Sequence, residues 1–183
     1  MKINNKILTI IFASVVVLGL TSFYNVSATD TPISNQQIDR IYGNCSQAKN
    51  TLNQLHASDA LLRVNMGQIY ESISTKLMTK FNSRVSNNKF DNNNLTSATN
   101  SYNSELDTFR SDYKKYEEQL NLAINVDCQK QQVSFYDAVA LARTERNRVH
   151  DDIVRINQYI DQYQLAIDQF EIDYVASSNG DSK

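Results

Sequence analysis

Apolar residues recur at alternating steps of three and four over three long stretches of this chain, with polar residues between them. In the first stretch the series runs Ile38, Ile41, Cys45, Ala48, Leu52, Leu55, Asp59, Leu62, Met66, Ile69 and Ile73. This heptad spacing predicts a helix whose seam packs along a partner helix. Beyond Ile73 the steps become four, through Leu77, Phe81 and Val85. Steps of that kind predict a stutter, where a supercoil locally unwinds. The start is marked by "SNQQ", in which Ser34 as N-cap and Gln37 three residues on form a capping box. A second seam, Leu95, Ala98, Tyr102, Leu106, Phe109, Tyr113, Tyr116, Leu120 and Ala123, predicts a helix from about Asn93 to Asn125. A third runs from about Lys130 to Ala176 through Val139, Ala142, Arg146, Val149, Ile153, Ile156, Ile160, Tyr163, Ile167, Phe170 and Tyr174.

The connections are short. "SNNKFDNNN", Ser86 to Asn94, is rich in residues that favour turns and caps, and "NVDCQ", Asn125 to Gln129, is the other. Short connections make sequential helices antiparallel. The expected fold is all-α: an elongated up-down-up three-helix bundle with coiled-coil packing over residues 34–176, and a narrow core without a deep pocket. Four glycines and one proline are too few for a β-sandwich full of tight turns. The polar end, residues 177–183, is expected to be disordered. Most tyrosines fall on or beside the seams, where the ring packs and the hydroxyl reaches water.

The first 28 residues read as a signal peptide. Lys2 and Lys6 precede the apolar run Ile7 to Leu20, and Val26 to Ala28 supplies small residues for cleavage. An uncleaved anchor is the competing reading, but the run is short for a membrane span. No Cys follows the cleavage position, which argues against a lipid anchor. Residues 29–33 would then be a short extension, and no later segment could span a membrane. Loss of the two lysines makes the chain more acidic than its net charge of −2, against a nucleic-acid partner.

An exported chain meets oxidising conditions, and Cys45 and Cys128 fall near the same end of two parallel helices. The expectation is a disulfide between them; two inert core thiols are the alternative. Counting from that bond brings Asp59 level with Arg143, and Arg63 level with Arg146. The second helix should present Tyr113 or Tyr116 at that height. Two seams thus each carry one misplaced charge, Asp59 and Arg146. A buried polar layer of Asp59, Arg63, Arg143, Arg146, Tyr113 and Tyr116 is expected. Such layers fix register more than they add stability. Removing one member of a fully buried pair typically costs about 3–5 kcal/mol. Ligand or proton binding at Asp59 is the competing reading.

No phosphate-binding glycine loop, GxSxG elbow, HExxH or CxxCH is present. His56 and His150, the only histidines, fall at different heights, so neither a metal site nor a cofactor is expected. "TERNRVHDD", Thr144 to Asp152, reads as a solvated face with Arg146 turned inward. A sharper reading makes Arg143, Arg146 and Arg148 a site for an anionic envelope polymer.

The runs "LHASDALLRVNMGQIYESISTKLMTKFNSRV", "FRSDYKKYEEQL" and "DCQKQQVSFYDAVALARTERNRVHDDI" carry a resemblance over most of the mature chain. They resemble uncharacterised exported helical proteins of ultrasmall candidate-phylum bacteria such as Saccharibacteria. The resemblance implies an envelope or surface protein of a cell living on a host bacterium, and brings no assigned site. The function expected is therefore non-enzymatic: binding or structural assembly with a protein or envelope component. A holdase gripping unfolded chains and a binder of anionic polymer are the alternatives.

Overall fold

The computed structural model describes residues 33–180. The expected leader, residues 1–28, nearly all of the 29–33 extension, and residues 181–183 lie outside that range. The described residues form α1 (Asn35–Ser72), a π-helical segment (Ile73–Met78), α2 (Thr79–Asn87), α3 (Asn93–Asn125) and α4 (Gln132–Gly180). The first three run on without a break, so three helical stretches pack antiparallel in sequence, an all-α three-helix bundle. Ser34 and Gln37 close a reciprocal capping box at the start of α1, with Gln37 N–H on Ser34 Oγ and Ser34 N–H on Gln37 Oε1.

The best-packed pair is α3 with α4. Leu95, Thr99, Tyr102, Leu106, Phe109, Tyr113, Tyr116, Leu120 and Ala123 of α3 are all buried, in strictly alternating steps of four and three. Thr99 takes the position expected for Ala98, because its hydroxyl returns to the Leu95 carbonyl at 2.8 Å. In contrast α1, though longer, fully buries only Cys45 and Tyr70. Leu62, Ile69 and Leu77, expected on the seam, are 57, 50 and 55 % exposed. A straight α-helix drifts about 20° per heptad against a 3.5-residue seam. Over the length of α1 that drift carries Tyr70 inward and Ile69 out.

The π segment lies where the four-residue steps begin. Its wider turn, closed by Thr79 N–H on Ser74 O, resets the phase. The inward track is Tyr70, Ser74, Met78, Asn82 and Val85, one residue off the expected one at Leu77. Both ends of the segment are held by tyrosines. Tyr102 of α3 donates to the Tyr70 carbonyl at 2.9 Å. Tyr163 of α4 reaches the Met78 carbonyl at 3.3 Å and Asn82 Oδ1 at 2.8 Å. These hydroxyls are buried, not wet as the sequence suggested, because the irregular backbone offers them acceptors. Burial pushes the Tyr163 hydroxyl up to about 12, so it remains a donor at any physiological pH.

The turn between α2 and α3 is a Schellman motif. Phe90 N–H reaches Val85 O at 3.2 Å and Lys89 N–H reaches Ser86 O at 2.9 Å. Lys89 sits at φ 62°, a conformation that favours glycine, and the reversal returns Phe90 onto the bundle. At the other end, Asp127 organises the turn into α4, which begins at Gln132, two residues later than expected. α4 also continues through Gly180, past the Ala176 boundary expected from sequence. No proline or glycine interrupts it before then, and the Ser177 and Ser178 hydroxyls bond back to carbonyls three residues earlier.

Tyr102→Phe removes one of the two donors on the Tyr70 carbonyl, where Ile73 N–H remains, and Tyr163→Phe removes the donor shared by the Met78 carbonyl and Asn82 Oδ1. Each is expected to lower unfolding free energy by about 1–2 kcal/mol in urea titrations. Tyr136→Phe, at an exposed tyrosine, is the control and should change nothing.

Candidate functional site

Three side-chain clusters lie along the bundle. The first is at the α3–α4 turn. The sulfurs of Cys45 and Cys128 meet at disulfide distance, with their Cα atoms 5.5 Å apart and 83 residues between them in sequence. Both are buried with Phe135, and Ile41, Ala48 and Val139 pack around them. In the chain-entropy description a crosslink closing so long a loop stabilises by about 4–5 kcal/mol.

The second cluster is the Asp59 layer. Tyr116 Oη donates to Asp59 Oδ2 at 2.7 Å, and Arg146 Nε donates to the same oxygen at 2.9 Å. Arg146 Nη2 lies 3.4 Å from Oδ1. One carboxylate of α1 thus ties α3 and α4 together. Arg63 joins through its guanidinium, 4.8 Å from the centroid of the buried Tyr113 ring. Arg143 is exposed and stays outside the layer, because Arg146 reaches Asp59 from a position one turn further on. Burial first, and then the bond to Asp59 and its charge, raise the Tyr116 hydroxyl far above its usual range. The bond to Asp59 likewise holds Arg146 in its charged form. The layer is shielded on one side only: the Asp59 side chain is 13 % exposed and that of Arg146 52 %. The cost of 3–5 kcal/mol expected for a fully buried pair therefore does not apply, since solvent screens the exposed guanidinium. Near it, His56 Nε2 is 3.9 Å from Glu117, whereas His150 is exposed beside Asp151.

The third cluster was not foreseen. Asp152 of α4 is fully buried against α3. Its Oδ1 accepts from Arg155 Nη2, while Oδ2 has no hydrogen-bond partner among the described residues. Arg155 is shared, donating through Nε to Glu105 of α3 at 2.8 Å. Burial above all, then the charges of Asp112, Glu105 and Asp151, outweigh Arg155 and push the Asp152 carboxyl up to about 6. The signal was in the spacing: Val149 and Asp152 inside "TERNRVHDD", with Ile156 just beyond it, continue the three–four pattern. That stretch was read as solvated, which holds for Asp151 and fails for Asp152.

The arginines proposed for polymer binding are mostly engaged within the chain. Arg146 serves Asp59, and Arg148 Nη1 is 2.7 Å from Glu145. Among the described residues no group of three or more His, Cys, Asp or Glu side chains is placed to share a metal ion. No helix there is long and apolar enough to cross a membrane.

No protein-family model, curated protein or solved structure matches the chain. Function must therefore be argued from its own surfaces.

The Asp59 layer makes a graded prediction. Asp59→Ala should cost about 1–2 kcal/mol in urea unfolding, since it strands a buried tyrosine donor. Arg146→Ala should cost less than about 1 kcal/mol. Arg143→Ala should be silent. Equal effects at both arginines would mean that the carboxylate has no preferred partner.

Asp152 makes the fold sensitive to pH. Its carboxyl is neutral to higher pH when folded, about 6, than at its ordinary 3.8. The folded state thus holds the proton more tightly, and stability is lost as pH rises from about 4 to about 6. Asp152→Asn should raise the melting temperature at pH 7.5 and have much less effect at pH 4.5. An equal shift at both pH values would show that ionisation of Asp152 is not the cause.

Proposed function

We propose that this is an exported, non-enzymatic helical-bundle protein of the cell envelope or surface, acting by binding or structural assembly. The observation that carries the reading is the uneven covering of α1. Leu61 is 65 % exposed, and Leu62, Val64 and Ile69 are half exposed or more, on a helix that fully buries only Cys45 and Tyr70 while α3 buries a residue at every step of its seam. Large apolar side chains gathered in one exposed stretch are the mark of an interaction surface. Val64 also borders a shallow trough of about 580 Å³ between α1 and α3, floored by Leu106 and Phe109. The cysteine pair and the leader-like N-terminus support export, since disulfides persist in oxidising compartments. The resemblance to exported proteins of candidate-phylum bacteria points the same way.

The same apolar stretch also supports a second reading, a holdase that grips unfolded chains along α1. Binding of anionic polymer through the α4 arginines has less support, because Arg146 and Arg148 already face acids.

The test uses oxidised protein and the double variant Leu62→Glu with Ile69→Glu. Both positions are exposed, so the melting temperature should move little. The wild type should retain a defined component from an envelope extract, and the variant should lose it at least tenfold. Equal retention by both would remove α1 as the binding surface. Suppression of aggregation of an unrelated unfolded protein, lost in the variant, would favour the holdase.

A further inference from the structure

The end of the bundle far from the disulfide holds a cleft that none of the polar layers uses. It lies between the α2–α3 turn and the last turns of α4, and its volume is about 240 Å³. Sites for drug-sized ligands run from roughly 300 to 1,000 Å³, so the volume suits a small head group. Three rings build one wall. Phe90 meets Phe170 and Tyr174 nearly edge to face, with centroids 6.0 and 5.2 Å away. Phe170 and Tyr174 stack at 6.2 Å. The core is already closed behind them by Phe81, which meets Phe170 at 5.8 Å. Yet Phe90 is 38 % and Tyr174 47 % exposed, so aromatic surface is presented outward.

The remaining lining sets the sign of the occupant. Asp91 and Asp173 both line the cleft, and no Lys, Arg or His does. Asp91 Oδ1 accepts from Asn93 N–H at 2.9 Å, and Asp173 Oδ1 accepts from Gln169 Nε2 at 2.9 Å. In each case the second oxygen has no hydrogen bond within the described residues, and so has capacity to spare. From Ile156 to Gly180, α4 contributes Asp161, Asp168, Glu171 and Asp173 and no basic residue. Lys89, exposed in the adjoining turn, is the nearest cation in sequence and lies outside the lining. The amino end of α3, which would otherwise attract an anion, is already served by Asp91. Aromatic faces carry negative quadrupole charge and carboxylates full charge. A ligand that offers both methyl surface and positive charge satisfies both kinds of wall.

We propose that this cleft binds a small quaternary ammonium group of the size of a choline head. The group could be supplied as a free solute or on a lipid, and both sources share this chemistry. The reading stands apart from the binding surface on α1 and from export. Either can fail without the other.

The test is an amide NMR titration of the oxidised protein with choline chloride, at constant ionic strength. The expected result is saturable shifts confined to residues of the α2–α3 turn and of α4 near Phe170 to Ser177. The neutral isostere 3,3-dimethylbutanol should bind at least about fivefold more weakly. Asp173→Asn should weaken choline binding by a similar factor. Tyr174→Phe should keep binding and Tyr174→Leu should lose it, with melting curves confirming that both fold. Phosphatidylcholine and phosphatidylglycerol vesicles separate the sources. Retention on the former alone assigns a lipid head group, and binding of free choline without vesicle retention assigns a solute. No saturable shift with choline would overturn the proposal. So would equal binding of choline and its neutral isostere, which would make the cleft a plain apolar niche.

Discussion

Two tyrosine hydroxyls hold the one irregular stretch of the first helical rod, and the fit of that rod along its neighbours depends on them. A helix that runs past two others for this distance cannot keep one face inward by α-helical geometry alone. The π segment at Ile73–Met78 absorbs the accumulated drift in a single wide turn. A wide turn loosens the regular backbone bonding. Tyr102 and Tyr163, on different helices, supply donors at its two ends. Without those donors the Tyr70 carbonyl would keep Ile73 N–H, but the buried Asn82 Oδ1 would lose its Tyr163 partner, and leaving a buried acceptor unmet costs more than a hydrogen bond returns.

Each polar cluster on the rod formed by α1, the π segment and α2 reaches across to other helices at a different height. Asp59 meets Tyr116 and Arg146, Ser74 meets Asn103, and Asn82 meets both Thr99 and Tyr163. None is large, but they cannot all be satisfied if the rod slides by one turn. Apolar packing alone tolerates such sliding far better, especially where only one side of a helix is covered. The hairpin of α3 and α4 provides most of the core, and the polar contacts decide where the remaining helix sits on it.

Much of this was legible in the chain. The capping box, the three seams and the alternation along α3 depend on local spacing, which sequence records directly. Asp59 and Arg146 stood out because a charge interrupts an apolar series. Tyr116 could be assigned to the same height by counting. The misses share a physical cause. Leu77 and Met78 are both apolar and adjacent, so composition does not choose between them; the π turn does. Asp152 was hidden by its neighbour Asp151 and by the assumption that a charge-rich stretch faces water. The cleft near Phe90 depends on a left-handed Lys89, a conformation that residue type disfavours and only the tertiary context reveals.

The disulfide and the π segment also have a joint consequence for motion. They fasten the rod near its start and near its end, while the stretch between leans mainly on the half-exposed Asp59 layer. Gly67, toward the π end of that stretch, has no atom beyond its own helical backbone within 4 Å of where a side chain would begin. Such a helix behaves like a strap sewn at both ends. If its middle lifted from the hairpin, neither fastening would have to open and the register would be kept. An insertion between strap and hairpin would therefore be a local event, drawn from the low-stability end of the molecule's motions.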